Sequence, residues 1–190
     1  MDLAAANLLA SLLSFAAAIT IGVWYLAPAV QQRPLADALT VLLWFHTPRF
    51  IALQIFSAAD IGGLAAPTTA QRTIAFGDVA TDTLAILAIW TLRRPFRTGR
   101  LLAWLVAIIG TADLISATVM GIDNDITDTA SDWTWFVLAF YVPILWVTAV
   151  MLLWQLTSRR AEPLAERPPP HGTGAAMTYA GSRRPALGCR

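Results

Sequence analysis

The sequence predicts an all-α polytopic membrane protein, a five-helix transmembrane bundle with its N-terminus outside and its C-terminus in the cytoplasm. Three observations carry this expectation. Hydrophobic residues make up 57% of the 190-residue chain and charged residues 13%, against roughly 45–50% and about 25% in soluble domains. Five segments approach or exceed the roughly 20 apolar residues that cross a hydrocarbon core. All thirteen basic residues are arginine, and they are segregated along the chain.

The first span is expected at about 8–30, ending near Pro28 and Pro34. It is too long for a signal-peptide core and no basic region precedes it, so it reads as a retained helix. Ala16, Ala17, Ala18 and Gly22 suit close helix packing. The second span, about 35–59, contains Pro48 and ends before Gly62, Gly63 and Pro67. Pro48 removes a backbone donor, so a kink is expected there, with a carbonyl one turn earlier left for a side chain. The third span, about 74–92, stops before Pro95, and the fourth covers about 101–120. An acidic connection follows, with Asp123, Asp125, Asp128 and Asp132. It lacks the central glycine and terminal glutamate of a calcium loop, so no metal or other cofactor is expected. Thr129–Asp132 instead reads as a cap for the fifth span, about 133–157, where Pro143 marks a kink beside a cavity. Residues 158–190 are rich in Arg and Pro and read as a disordered tail. The lone Cys189 and the tail His171 offer no disulfide or metal framework.

Eleven of the thirteen arginines, among them Arg33, Arg93, Arg94, Arg100 and Arg159, fall on one side of a five-span arrangement; only Arg72 falls on the other, and Arg49 lies within a span. That side is therefore expected in the cytoplasm. The arginine-only usage suggests a GC-rich bacterial source and hence a bacterial cytoplasmic (inner) membrane. No dense basic stripe points to nucleic acid. The partners expected are the bilayer, a small-molecule or lipid ligand, and a membrane protein or a second copy.

Ionisable residues within the spans are the candidates for function, because each costs about 2.5–3.5 kcal/mol to insert. At 100° per residue His46, Arg49, Ser57 and Asp60 share one face of the second span, with Gln54 at its edge. Asp78 and Asp82 share a face of the third span, and Asp113 and Ser116 a face of the fourth. Counting depth from the span centres puts Arg49, Asp82 and Asp113 at one level, with Asp78 nearer the outer surface. Arg49 is therefore expected to pair with Asp82 or Asp113, or both, since arginine stays charged and needs a carboxylate. Three uses of such a cluster stay open: cement between helices, a ligand or proton site, and catalysis.

The stretch His46-Thr-Pro-Arg49-Phe-Ile-Ala-Leu-Gln54-Ile-Phe-Ser57, followed by Gly77-Asp78 and Asp113, resembles a pattern in small uncharacterised bacterial membrane proteins. The resemblance covers roughly the first 155 residues. It implies a multi-helix membrane bundle and no activity. The leading functional expectation is a bundle that binds or transports a small molecule, lipid or proton, with Arg49 as an anion anchor. One alternative is a structural or accessory subunit of a larger membrane complex. A second is an intramembrane enzyme using His46 with Asp78 or Asp82 as an acid–base pair.

Overall fold

A computed structural model describes residues 3–56, 69–94, 98–123 and 132–164. Ser57, Asp60, Gly62, Gly63, Pro67, Pro95, Arg97, Asp125, Asp128, the capping residues 129–131 and the tail beyond residue 164 lie outside them. Every regular element among the described residues is helical. Five helices are long and apolar enough to cross a membrane: α1 Leu3–Gln31, α2 Leu35–Phe56, α3 Thr69–Leu92, α4 Gly99–Asp123 and α5 Thr134–Ser158.

Two helices carry the same local device. In α1 a π-helical turn, Gly22–Leu26, precedes Pro28, and Ala27 N–H bonds to the Gly22 carbonyl five residues back. In α5 the π-helical turn Val137–Tyr141 precedes Pro143, and Val142 N–H bonds to Val137 in the same way. Proline cannot donate to its i−4 carbonyl and its ring crowds that carbonyl, so a locally wider turn lets each helix run on through it. The two helices pack together, and bare Gly22 lets Val147 and Met151 of α5 close on α1.

Pro48 acts differently. The α-helical part of α2 ends at Trp44, and Thr47–Phe56 continue as a 3₁₀ helix. Without an N–H, Pro48 leaves the carbonyls of Trp44 and Phe45 without their usual donor. Side chains supply both bonds, Thr47 Oγ1 donating to Trp44 O at 3.0 Å and Tyr141 OH donating to Phe45 O at 3.0 Å. The expected kink is thus a change of helix type, held open by a tyrosine from α5.

The bundle has two unlike halves. Toward the arginine-rich end, Leu39, Leu42 and Leu43 of α2 pack with Ala85, Ala88 and Ile89 of α3, with Ala103 and Val106 of α4, and with Leu152 and Leu156 of α5. The alanines bring α3 and α4 close together, since small side chains let helix backbones approach. The other half is looser and contains the cavity described below. Helix α1 is the least buried of the five and packs along α5.

A clasp closes the solid end. Glu162, just beyond α5, accepts from Arg159 Nε and Nη2, each at 2.7 Å, and from Leu35 N–H, the first residue of α2, at 2.9 Å. Arg159 also donates to Gln155 Oε1 at 3.1 Å and to Arg33 O at 2.9 Å. Arg100 of α4 donates to Arg160 O at 2.6 Å and to the Glu162 carbonyl. The carboxylate therefore sits at the positive end of α2. Hydrogen bonding from Arg159, helped by Leu35 N–H, holds the Glu162 carboxyl below the usual carboxylate range. A folded-state pKa below the unfolded one gives stability that is complete above the unfolded pKa and is lost as pH falls through the folded one. The protection of the Leu35 amide, taken against its intrinsic exchange rate at each pH, is accordingly expected to fall on acidification below the ordinary glutamate range. In Glu162→Gln that protection should already be weak at neutral pH and vary little with pH; an unchanged protection profile would contradict the clasp.

A buried arginine beside a cavity

The 3₁₀ geometry decides which side chains of α2 face inward. Its three-residue period aligns Arg49, Ala52 and Ile55, all buried, below His46 at the end of the α-helical part. The constant 100° advance expected from the sequence does not hold beyond Trp44, because 3₁₀ residues advance by about 120°. Arg49 is only 1% exposed.

Two other helices meet it. Arg49 Nε lies 2.8 Å from Asp78 Oδ1 of α3, and Nη2 lies 3.3 Å from Asp113 Oδ2 of α4. Nη1 makes a long hydrogen bond, 3.5 Å, to the Gly110 carbonyl. All three nitrogens of the guanidinium thus face protein oxygen. Two glycines make room for this. A Cβ on Gly77 would overlap the Asp113 carboxylate, and one on Gly110 would lie 2.9 Å from Thr81 Cγ2 and 3.2 Å from Arg49 Nη1.

The expected contact with Asp113 is therefore present, but the second carboxylate is Asp78 and not Asp82. Helix α3 is already formed at Thr69, ahead of the start expected near 74, and the midpoint of Thr69–Leu92 lies between the two aspartates. Depth then favours neither, and the rotation of α2 beyond Pro48 brings Asp78 to the guanidinium. Asp82 stays buried, and its Oδ1 has no hydrogen-bond partner.

His46 is buried on the far side of Arg49 from the cavity residues of α2. Its Nε2 lies 3.5 Å from Thr148 Oγ1, and its Nδ1 has no partner. The Thr148 hydroxyl already donates to the Ile144 carbonyl at 2.8 Å, so any bond between them has Nε2 as the donor. The expected acid–base pair of His46 with Asp78 or Asp82 is not formed. Ser116 is half-buried and does not line the cavity. Gln54 does line it and donates from Nε2 to Thr134 Oγ1 of α5 at 3.3 Å.

The cavity holds about 200 Å³ and draws on all five helices. Arg49 and Asp78 supply its charged end. Most of the remaining wall is apolar, including Phe15 of α1, Ile55 of α2, Ile74 of α3 and Leu114 of α4. Tyr141, Val137 and Leu138 of the π-helical turn in α5 complete it, as the kink expected at Pro143 implied. At Gly121 of α4, which also lines the space, an added Cβ would meet no atom within 4 Å. An apolar chamber with a few convergent polar groups is the usual form of a small-molecule site.

Sequence reasoning missed Tyr141, Thr134 and the parts of Gly77 and Gly110. The glycines left a signal: each sits within one turn of a charged residue on its own helix, where a bare backbone lets a partner side chain approach.

A family model described as a domain of unknown function, DUF8737, matches residues 6–157. No curated protein and no solved structure matches the chain.

Proposed function

The chain belongs to the DUF8737 family, and from that premise we propose that it is a multi-pass protein of a bacterial cytoplasmic membrane, N-terminus outside, that binds a small, largely apolar molecule or lipid in the cavity. Several features support the membrane reading. The helices expose large apolar side chains such as Leu12, Ile86, Ile108 and Val150 to their surroundings. Trp24, Trp90 and Trp154 are exposed toward the arginine-rich ends of α1, α3 and α5, where aromatic rings favour the headgroup level. The arginine bias supports the direction.

One observation carries the binding reading: the Arg49–Asp78 pair lines an open chamber. Charges that served only as cement would be enclosed by side chains on every side. The same pair also ties α2 to α3 and α4, so it holds the bundle while it forms the polar end of the site.

Gly121→Leu tests this directly. The new side chain enters empty space, and a helical glycine is replaced by a better helix former. The variant is expected to insert and to keep its thermal stability. Native mass spectrometry of protein taken gently from its own membranes should show bound small molecules or lipids falling by about tenfold or more. An unchanged set of bound molecules would refute binding in this chamber.

A further inference from the structure

The chemical class of the ligand follows from the charges at the end of the cavity, given the binding reading above. Arg49 is enclosed by oxygens that it already faces, although its Nε and Nη2 contacts lack hydrogen-bond geometry. Its Nε faces Asp78, its Nη2 faces Asp113, and its Nη1 faces the Gly110 carbonyl. Its side chain is 0% exposed, whereas that of Asp78 is 16% exposed. The charged group that a ligand can reach is thus the carboxylate.

Charge balance points the same way. Around one guanidinium stand the half-buried Asp78 and Asp113, with a third carboxylate, the buried Asp82, one turn along α3 from Asp78. Its Oδ1 has no hydrogen-bond partner. Among the described residues the other titratable groups nearby are His46 and Tyr141. His46 lies next to Thr148, and Tyr141, on the cavity wall, donates its proton to Phe45 O. The α1 side of the cavity offers Ser11 and Phe15, and its α4 side offers no charge beyond Asp113 behind Gly77. With every carboxylate ionised, the cluster carries more negative than positive charge in an apolar surround, which is costly unless protons or a cation balance it.

We propose that the cavity takes an organic cation, a protonated amine on a small apolar body, with its ammonium against Asp78. The apolar walls hold the body, and Asp78 faces the charge, with Asp113 behind it. In the empty site protons supply the missing positive charge. When the ammonium enters, a carboxyl O–H ionises and its proton leaves to solvent, so the charge of the site is conserved. This reverses the expectation from sequence that Arg49 anchors an anion.

The experiment uses the full chain in detergent and three probes of similar size: phenethylammonium, phenethyl alcohol and hydrocinnamate. Isothermal titration calorimetry in two buffers of different ionisation enthalpy gives affinity and protons released together. The cation is expected to bind at least about tenfold more tightly than the carboxylate. Its affinity should rise with pH, by up to about tenfold per unit while one proton leaves per cation bound. Asp78→Asn should bring the cation down to the level of the alcohol. If that variant does not fold, proton release by the unaltered chain decides instead. Tighter binding of hydrocinnamate, lost in Gly121→Leu, would overturn the cation assignment and leave the cavity reading standing. Cation binding without proton release would also overturn the exchange. Failure of all three probes to bind, or binding indifferent to Gly121→Leu, would overturn the cavity reading and this inference with it.

Discussion

Replacing Arg49 with methionine is expected to destabilise the bundle by about 3–5 kcal/mol, the usual cost of removing one partner from a buried ion pair. Methionine keeps the length and apolar stem of the side chain, so little of that loss should come from packing. What remains is Asp78 and Asp113 facing each other across α3 and α4 with no positive charge between them. Restoring neutrality should restore stability. Arg49→Met combined with Asp78→Asn and Asp113→Asn is expected to recover most of the loss, since a neutral core often equals a buried ion pair. Thermal unfolding in detergent, compared across the single and triple variants, reads this out. A triple variant no more stable than Arg49→Met would show that the arginine holds the fold by something other than its charge.

The second large effect is expected at Gly77. Alanine there forces the Asp113 carboxylate away from α3 and so away from Arg49. Overpacking of this kind costs about 1–3 kcal/mol, even though alanine is the better helix former. The cause separates cleanly in a double-mutant cycle. In an Asp113→Ala background the overlapping carboxylate is gone, so Gly77→Ala should cost little or become slightly stabilising. An equal cost in both backgrounds would mean that Gly77 is needed for some contact other than Asp113.

Much of this centre was legible in the sequence, and the limits have physical causes. His46, Arg49, Gln54, Asp78 and Asp113 stand out because charge and amide groups inside apolar spans are expensive. The choice of Asp78 over Asp82 was hidden by two local effects. Helix α3 already includes Thr69 and Gln71, which do not look like part of an apolar span. Pro48 also changes the helix type of α2, so an angle count carried through it drifts by about 20° per residue. The cavity was not legible, because empty space arises from how five helices meet and belongs to no single residue. Only Pro143 hinted at it. The clasp was half legible. Arg159 and Glu162 have the spacing of an ion pair on one helical turn, but Arg159 reads equally well as a simple topology signal. Its bonds to Arg33 O and Gln155 Oε1 depend on which helix ends gather at that surface.

The change of helix type in α2 also sets how far its residues reach along the bundle. A 3₁₀ helix rises about 2.0 Å per residue against 1.5 Å. The ten residues Thr47–Phe56 therefore reach about 5 Å further along the bundle than the same ten would as an α-helix. The proline that sets the face of Arg49 thus also sets how much of the bundle's length those ten residues cover.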